Sequence, residues 1–185
     1  MSRLSKSAVG AVAASVSLLA IAAPAQAKSE HVTGGHATVR ASMQISAFLR
    51  SRGITVTPIG PAKVGNGAMT MPMVGGTVSV PTMGGTMHAR GGLEYSNGSK
   101  VVRVSNYILK HHGGAATLTA DVNGHRIVIA TMPSPNVHMT TTSGTMSGGL
   151  HISAVWAKTI NQLVGLNVVH AGETIGQLSM TIKMG

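Results

Sequence analysis

The sequence contains no cysteine. That absence excludes a disulfide framework, a cysteine zinc site, a thiol nucleophile and a lipid-modified N-terminal cysteine. Aromatic residues are almost missing as well: Phe48, Tyr95, Tyr107 and Trp156 are the whole set. So few rings cannot build a stacking platform for single-stranded nucleic acid or the aromatic girdles of a membrane barrel. Negative charge is equally scarce. Glu30, Glu94, Asp121 and Glu173 stand isolated against 14 Lys and Arg, for a formal net charge of +10. There is no Gly-x-Ser-x-Gly elbow, no His-Glu-x-x-His and no phosphate-cradling loop followed by Lys-Ser/Thr. The chain therefore reads as a non-enzyme, and nucleic acid as a poor partner. The stretches Val64–Ala89 and Ile127–Ala157 lack charged residues, but glycines and prolines interrupt both. Neither makes the continuous apolar helix that spans a bilayer, so no transmembrane segment is expected in the mature chain.

What is present begins with an address. Arg3 and Lys6 give a positive start, Ala8 to Ala23 form an apolar run, Pro24 breaks it, and Ala25-Gln26-Ala27 is a small-x-small cleavage site. Residues 1–27 are expected to be a secretory signal peptide cleaved near Ala27, leaving an exported protein, secreted or held at the cell envelope. Residues 28–37 read as a flexible lead-in, and residues 38–185 as a single β-rich domain of ordinary size.

Within that domain, Val39, Met43 and Ala47 recur every four residues, so Thr38–Arg52 is a helix candidate stopped by Gly53. Ile54–Thr57 alternates as a strand. Met69, Met71 and Met73 alternate with Thr70 and Pro72, and Thr77–Val80 repeats the pattern. The glycine pairs at 75–76, 84–85 and 91–92 read as punctuation between short strands. Asn97-Gly98 and Asn123-Gly124 are hairpin signals, because a type I′ turn requires positive φ at both central residues. A long strand is expected from Lys100 to about Lys110, a reversal at His111–Gly114, and strands at Thr117–Val122 and Arg126–Ala130. Val137–Thr142 reads as a strand, Ser143–Gly149 as a mobile Ser/Gly/Thr tract, and Gln177–Lys183 as a last strand. Ser153 should cap a helix over Ala154–Val164, stopped by Gly165. The sum is a mainly β fold, an antiparallel sandwich or partly open barrel, with two short peripheral helices and a core of Val, Ile, Leu and Met.

Several stretches share a pattern. They are Pro61–Lys63, Met69–Gly76, Gly85-Thr-Met-His88-x-x-Gly91-Gly92-Leu93, Val102–Leu109, Leu118–Gly124, Ala154–Gly165 and Ala171–Gly176. Together they resemble uncharacterised secreted actinobacterial β-domain proteins, and more distantly the HtaA-type cell-envelope domains. The resemblance implies a β domain that binds haem at the cell surface, with a Tyr ligating the iron and a His supporting it. His88 fits the His-x-x-Gly-Gly slot. The family's ligand Tyr lies in an aromatic N-terminal segment, where this chain has Phe48.

Residue chemistry adds a second line. Methionines 69, 71 and 73 would share one strand face, with Met83, Met87-His88 and His138-Met139 adding soft donors. Thioethers and imidazoles suit Cu(I), whereas period-two methionine also describes a buried strand face in an aromatic-poor core. His111-His112 reads as a solvated turn, with a surface metal site alongside His125 as the alternative. The leading expectation is an exported, non-enzymatic binding or structural module of the envelope, without a cofactor. Its site would lie at His88, Gly91, Gly92, Tyr95 and Tyr107. The alternative is a haem- or Cu(I)-binding envelope protein using His88 with Tyr or Met donors, the metal set being Met69, Met71, Met73, Met87 and His88. The basic surface is expected to draw anionic envelope polymers or lipid headgroups in a salt-dependent way.

Overall fold

The computed structural model describes residues 28–80 and 82–185; the expected leader, 1–27, lies outside them. In chain order, β1 (Lys28–Ala41) leads into α1 (Met43–Ser51), then β2 (Thr55–Ile59) and β3 (Lys63–Gly65). There follow β4 (Ala68–Val80), β5 (Gly84–Ser96), β6 (Val101–His112), β7 (Ala115–Val122), β8 (His125–Met132) and β9 (Asn136–Met139). The chain closes with β10 (Ser143–Ile152), α2 (Ala154–Val164) and β11 (Thr174–Met184). Eight strands form an antiparallel barrel in the order β4-β5-β6-β7-β8-β10-β11-β1, and the β1–β4 pairing closes it. Of the two arrangements expected, the barrel is the one formed, and it is closed. β2, β3 and β9 lie outside the wall, on β5, β4 and β10. Closure removes the free edges that an open sheet would have to protect.

Several boundaries differ from the sequence reading. Residues 28–37 are not a lead-in: they are the first part of β1, paired with β4 on one side and β11 on the other. The helix begins at Met43, not Thr38, because Val39 pairs with both Met69 and Leu178. Bonding on both sides outweighs a weak four-residue periodicity. Ser42 then caps α1, its Oγ accepting from the Ile45 amide at 3.2 Å. The tract 143–149 is strand, not a mobile loop. Its glycines let large neighbours close in, since a Cβ on Gly148 would meet the Met132 sulfur at 2.5 Å and one on Gly144 the Met139 sulfur at 2.4 Å.

The glycine pairs 75–76 and 91–92 are not strand ends either. β4 and β5 run straight through them, and register shifts fall beside each pair, between Met73 and Gly75 and between Ala89 and Gly92. Both shifts are β-bulges, which bend a strand and alter its pairing. Their effect is to part β4 from β5. Below the bulges the two strands pair with each other. Above them β5 pairs with β2, β4 pairs with β3, and the wall between them is open. β8 and β10 pair only at His151–Thr131 and Ile152–Ala130, and α2 continues the seam, with Ser153 bonded to the carbonyls of Val128 and Ile129.

Methionine replaces rings in the core. Nine of the twelve methionines are buried, Met71, Met83, Met87, Met132, Met146 and Met180 almost completely. Each such burial is worth about 1.5–3 kcal/mol. Met71, Met73, Met87 and Met180 surround a void of only about 20 Å³, so the middle of the barrel is filled.

Candidate ligand-binding site

The open end carries a mainly apolar hollow. β1 delivers its chain to α1 at this end, and β10 delivers its chain to α2. Between the helices and the parted β4 and β5 lies a cavity of about 370 Å³, within the usual range for small-molecule sites. Its walls are Val39, Met69, Leu93, Val104, Leu118, Leu150 and Ile175, and the side chains of Val56, Val64 and Leu49 rim its mouth. Arg50, exposed on α1, is the cation on that lining.

Tyr95, Tyr107 and Trp156 are the polar-tipped groups of the cavity. Tyr107 owes its orientation to a bulge. Asn106 sits at φ 53, and the β6–β7 register shifts between Ser105 and Ile108. The inward alternation of β6 therefore changes from Val102 and Val104 to Tyr107, Leu109 and His111. Asn is one of the few residues that enter the left-handed region at small cost. Its side-chain amide donates to Asp121 at 3.1 Å, and Arg126 ties the Asn106 carbonyl and the Asp121 carboxylate from β8. Tyr95, half-buried on β5, meets Trp156 edge to face with centroids 6.0 Å apart. Trp156 is held by the first turn of α2, where Ser153 Oγ accepts from its amide at 3.0 Å.

Burial pushes the Tyr95 phenol up to about 12. Tyr107 is driven well above the ordinary tyrosine value, first by burial and then by the charge Tyr95 would carry if ionised. The two phenols thus sense each other and stay protonated across the physiological range. Chemically the cavity offers apolar walls, two neutral phenols able to donate, accept or ligate, and one guanidinium at the rim.

The residues expected to form a site are divided by the structure. Tyr95 and Tyr107 share the cavity. His88 is exposed on the outer face of β5, where with His31 it flanks a shallow groove over Gly76 and Gly85. Gly91 and Gly92 shape the backbone. A Cβ on Gly91 would lie 2.7 Å from the Ala62 nitrogen, and one on Gly92 would lie 1.9 Å from the Val104 carbonyl oxygen. The metal set divides in the same way. Met69, Met71, Met73 and Met87 point into the barrel while His88 points out, so these five cannot meet on one ion. Sequence reasoning missed Arg50, Leu49 and Trp156 as cavity residues. The cap and periodicity of α2 mark Trp156 as a buried helix residue, but only the docking of α2 on β8 turns it toward Tyr95.

With this geometry in view, the solved structures decide the fold. It is the fold of the HtaA domains. The C-terminal domain of HtaA from Corynebacterium glutamicum is similar with a TM-score of 0.71 at 16% identity, over 84% of this chain and 99% of that one. The N-terminal domain of the same HtaA gives a TM-score of 0.61 at 12% identity, covering 82% of this chain and 97% of that domain. The haem-binding protein HtaB from C. glutamicum gives 0.58 at 13% identity, covering 85% and 96%. No protein-family model and no curated protein matches the chain in sequence. The likeness to HtaA domains expected from the glycine, turn and strand pattern is thus present as a shared fold at low identity.

Proposed function

We propose that the chain is an exported, non-catalytic binding domain of the cell envelope that takes haem, a flat apolar ligand with an acidic edge, into the cavity at the open end of the barrel. The observation that carries this reading is the pair of tyrosines, Tyr95 and Tyr107, that line one and the same mainly apolar cavity. Support also comes from the shared fold with HtaB, a haem-binding protein by name. The donor set fits the group: Tyr107 or Tyr95 would hold the iron, Trp156 and the aliphatic walls would cover the ring, and Arg50 would face its carboxylates. Bound haem supplies a Lewis-acidic iron whose charge favours loss of the phenol proton that burial otherwise retains. Phe48, the aromatic residue of the N-terminal segment in which the family's ligand Tyr lies, has no donor atom. It is half-buried on α1, with the Arg52 guanidinium 5.7 Å from its ring.

Titration of the purified chain with haemin tests this. The expected result is one haem per chain with a shifted Soret band, kept in His88→Ala and lost or displaced in Tyr107→Phe or Tyr95→Phe. An unshifted Soret band, or spectra unchanged in the double Tyr→Phe variant, would count against it.

The envelope placement has its own support. Of the four acidic side chains, Glu30, Glu94 and Asp121 are paired with Lys28, Arg103 and Arg126, so the remaining surface is strongly cationic. Binding to vesicles with anionic headgroups should fall steeply with salt, as screening shortens the reach of the field to about 8 Å at physiological ionic strength. Salt-independent or absent sedimentation with such vesicles would remove this part.

A further inference from the structure

At the end of the barrel away from the tyrosine cavity, we infer that His111 anchors a Cu(I) site, with the thioethers of Met83 and Met87 as its soft co-ligands. The inference stands apart from the haem reading. His111 lies four residues beyond Tyr107 on the same inward face of β6, about 13 Å along the strand.

The starting observation is an unpartnered nitrogen. His111, expected in a solvated turn, is instead 6% exposed, and it is the buried polar residue of the core. Its Nδ1 lies 3.2 Å from the Met83 carbonyl. A carbonyl only accepts, so Nδ1 carries the proton, and in the neutral ring Nε2 presents a lone pair. Among the described residues, His111 Nε2 is the buried side-chain polar atom with no hydrogen-bond partner. An orphaned buried group costs about 1–3 kcal/mol and calls for an explanation. A ring whose Nδ1–H is fixed by a backbone carbonyl while Nε2 is free is the arrangement metal-ligating histidines adopt.

The surroundings choose the metal. Across the strands His111 pairs with Gly85 on β5 and with Ala116 on β7, and Ala116 pairs with Met132 on β8. The immediate cross-strand neighbours on both sides are therefore small, a hydrogen and a methyl group. Met87, the next inward residue on β5, lies diagonal to His111, within reach of a long side chain. Met83 supplies the orienting carbonyl. Met83 and Met87 are both 0% exposed. No group of three His, Cys, Asp or Glu exists among the described residues to serve a harder ion. Imidazole with thioethers is a donor set that selects Cu(I). The soft chemistry suggested by the methionine count thus falls to His111, where sequence spacing had pointed to His88.

The test is an anaerobic titration of the full chain with Cu(I) buffered by the chromogenic chelator bathocuproine disulfonate. One Cu(I) per chain should be withdrawn from the chelator, and X-ray absorption should show nitrogen and sulfur together around it. His111→Phe and His111→Gln should each weaken binding by more than the roughly 10–100-fold that loss of an outer-shell partner costs a metal site. Met87→Leu should weaken it to a smaller degree, while His88→Ala and Tyr107→Phe leave it unchanged. Circular dichroism identifies the variants that keep the barrel, and haemin binding should be untouched in the folded His111 and Met87 variants. Copper left entirely on the chelator would overturn the site. So would either folded His111 variant binding Cu(I) as tightly as the parent chain, or an absorption edge without sulfur.

Discussion

Single residues carry the site through backbone conformation as much as through side-chain chemistry. Asn106 is the clearest case. Its left-handed φ switches which face of β6 points inward, and both Tyr107 and His111 depend on that switch. Asn106→Val should destabilise the chain by about 1–2 kcal/mol, the penalty for an ordinary L-residue in this region, whereas Asn106→Gly should cost much less. Urea midpoints of the two variants compare them directly, and equal midpoints would show that the bulge is not needed. Nothing in the local sequence marks Asn106 as a bulge. Lys100 to about Lys110 reads as one uninterrupted strand, and the break shows in the Asn106 φ and in the pairing with β7. His111 illustrates the same blindness. Beside His112 and two glycines it has the look of a solvated turn, yet strand pairing buries it and leaves His112 exposed.

Among the elements, α2 was fully legible. Ser153, the apolar positions 156, 160 and 163, and Gly165 at φ 73 place its two ends where the caps dictate. The same serine also donates to the Val128 carbonyl, so it ties the helix to β8. Ser153→Ala should therefore cost about 1–2 kcal/mol, the upper part of the N-cap range. Because Trp156 is the sole tryptophan, its fluorescence reports whether the helix still presents it to Tyr95. An unaltered urea midpoint and emission would contradict this. The hairpin turn at Asn123-Gly124 was legible for the same reason, with both residues at positive φ, 49 and 87. Asn97-Gly98 also marks a hairpin, but of four residues between the paired Ser96 and Val101, and only Gly98 of the two takes positive φ, so it is not the two-residue type I′ turn expected. α1 was legible as a helix but not in its start, and the glycine pairs were legible as irregularities but not as bulges. In each case the deciding contact comes from a strand distant in sequence.

For the whole molecule, the buried phenols set the alkaline limit. Each ionises in the unfolded chain near the ordinary tyrosine value of 10.0, and in the folded chain only higher, Tyr95 at about 12. Above pH 10 the unfolded state loses protons first, so stability present below that pH is lost progressively toward 12. Alkaline unfolding followed by circular dichroism should coincide with the rise of tyrosinate absorbance. Tyr107→Phe should move the transition to higher pH, and a transition unmoved in that variant would sever the link. No helix among the described residues is long and apolar enough to cross a membrane.

The sequence alone determined the class of the protein: strands from period-two alternation, reversals from Asn-Gly, and a core of thioethers, because so few rings were available to fill it. Those properties depend on neighbours within a few residues. Only the tertiary structure decided that the sheet closes, that β4 and β5 part at one end, and that two phenols rather than a histidine face the resulting hollow. These outcomes rest on register between strands far apart in the chain, and a one-residue shift of register exchanges the inside of a barrel for its outside.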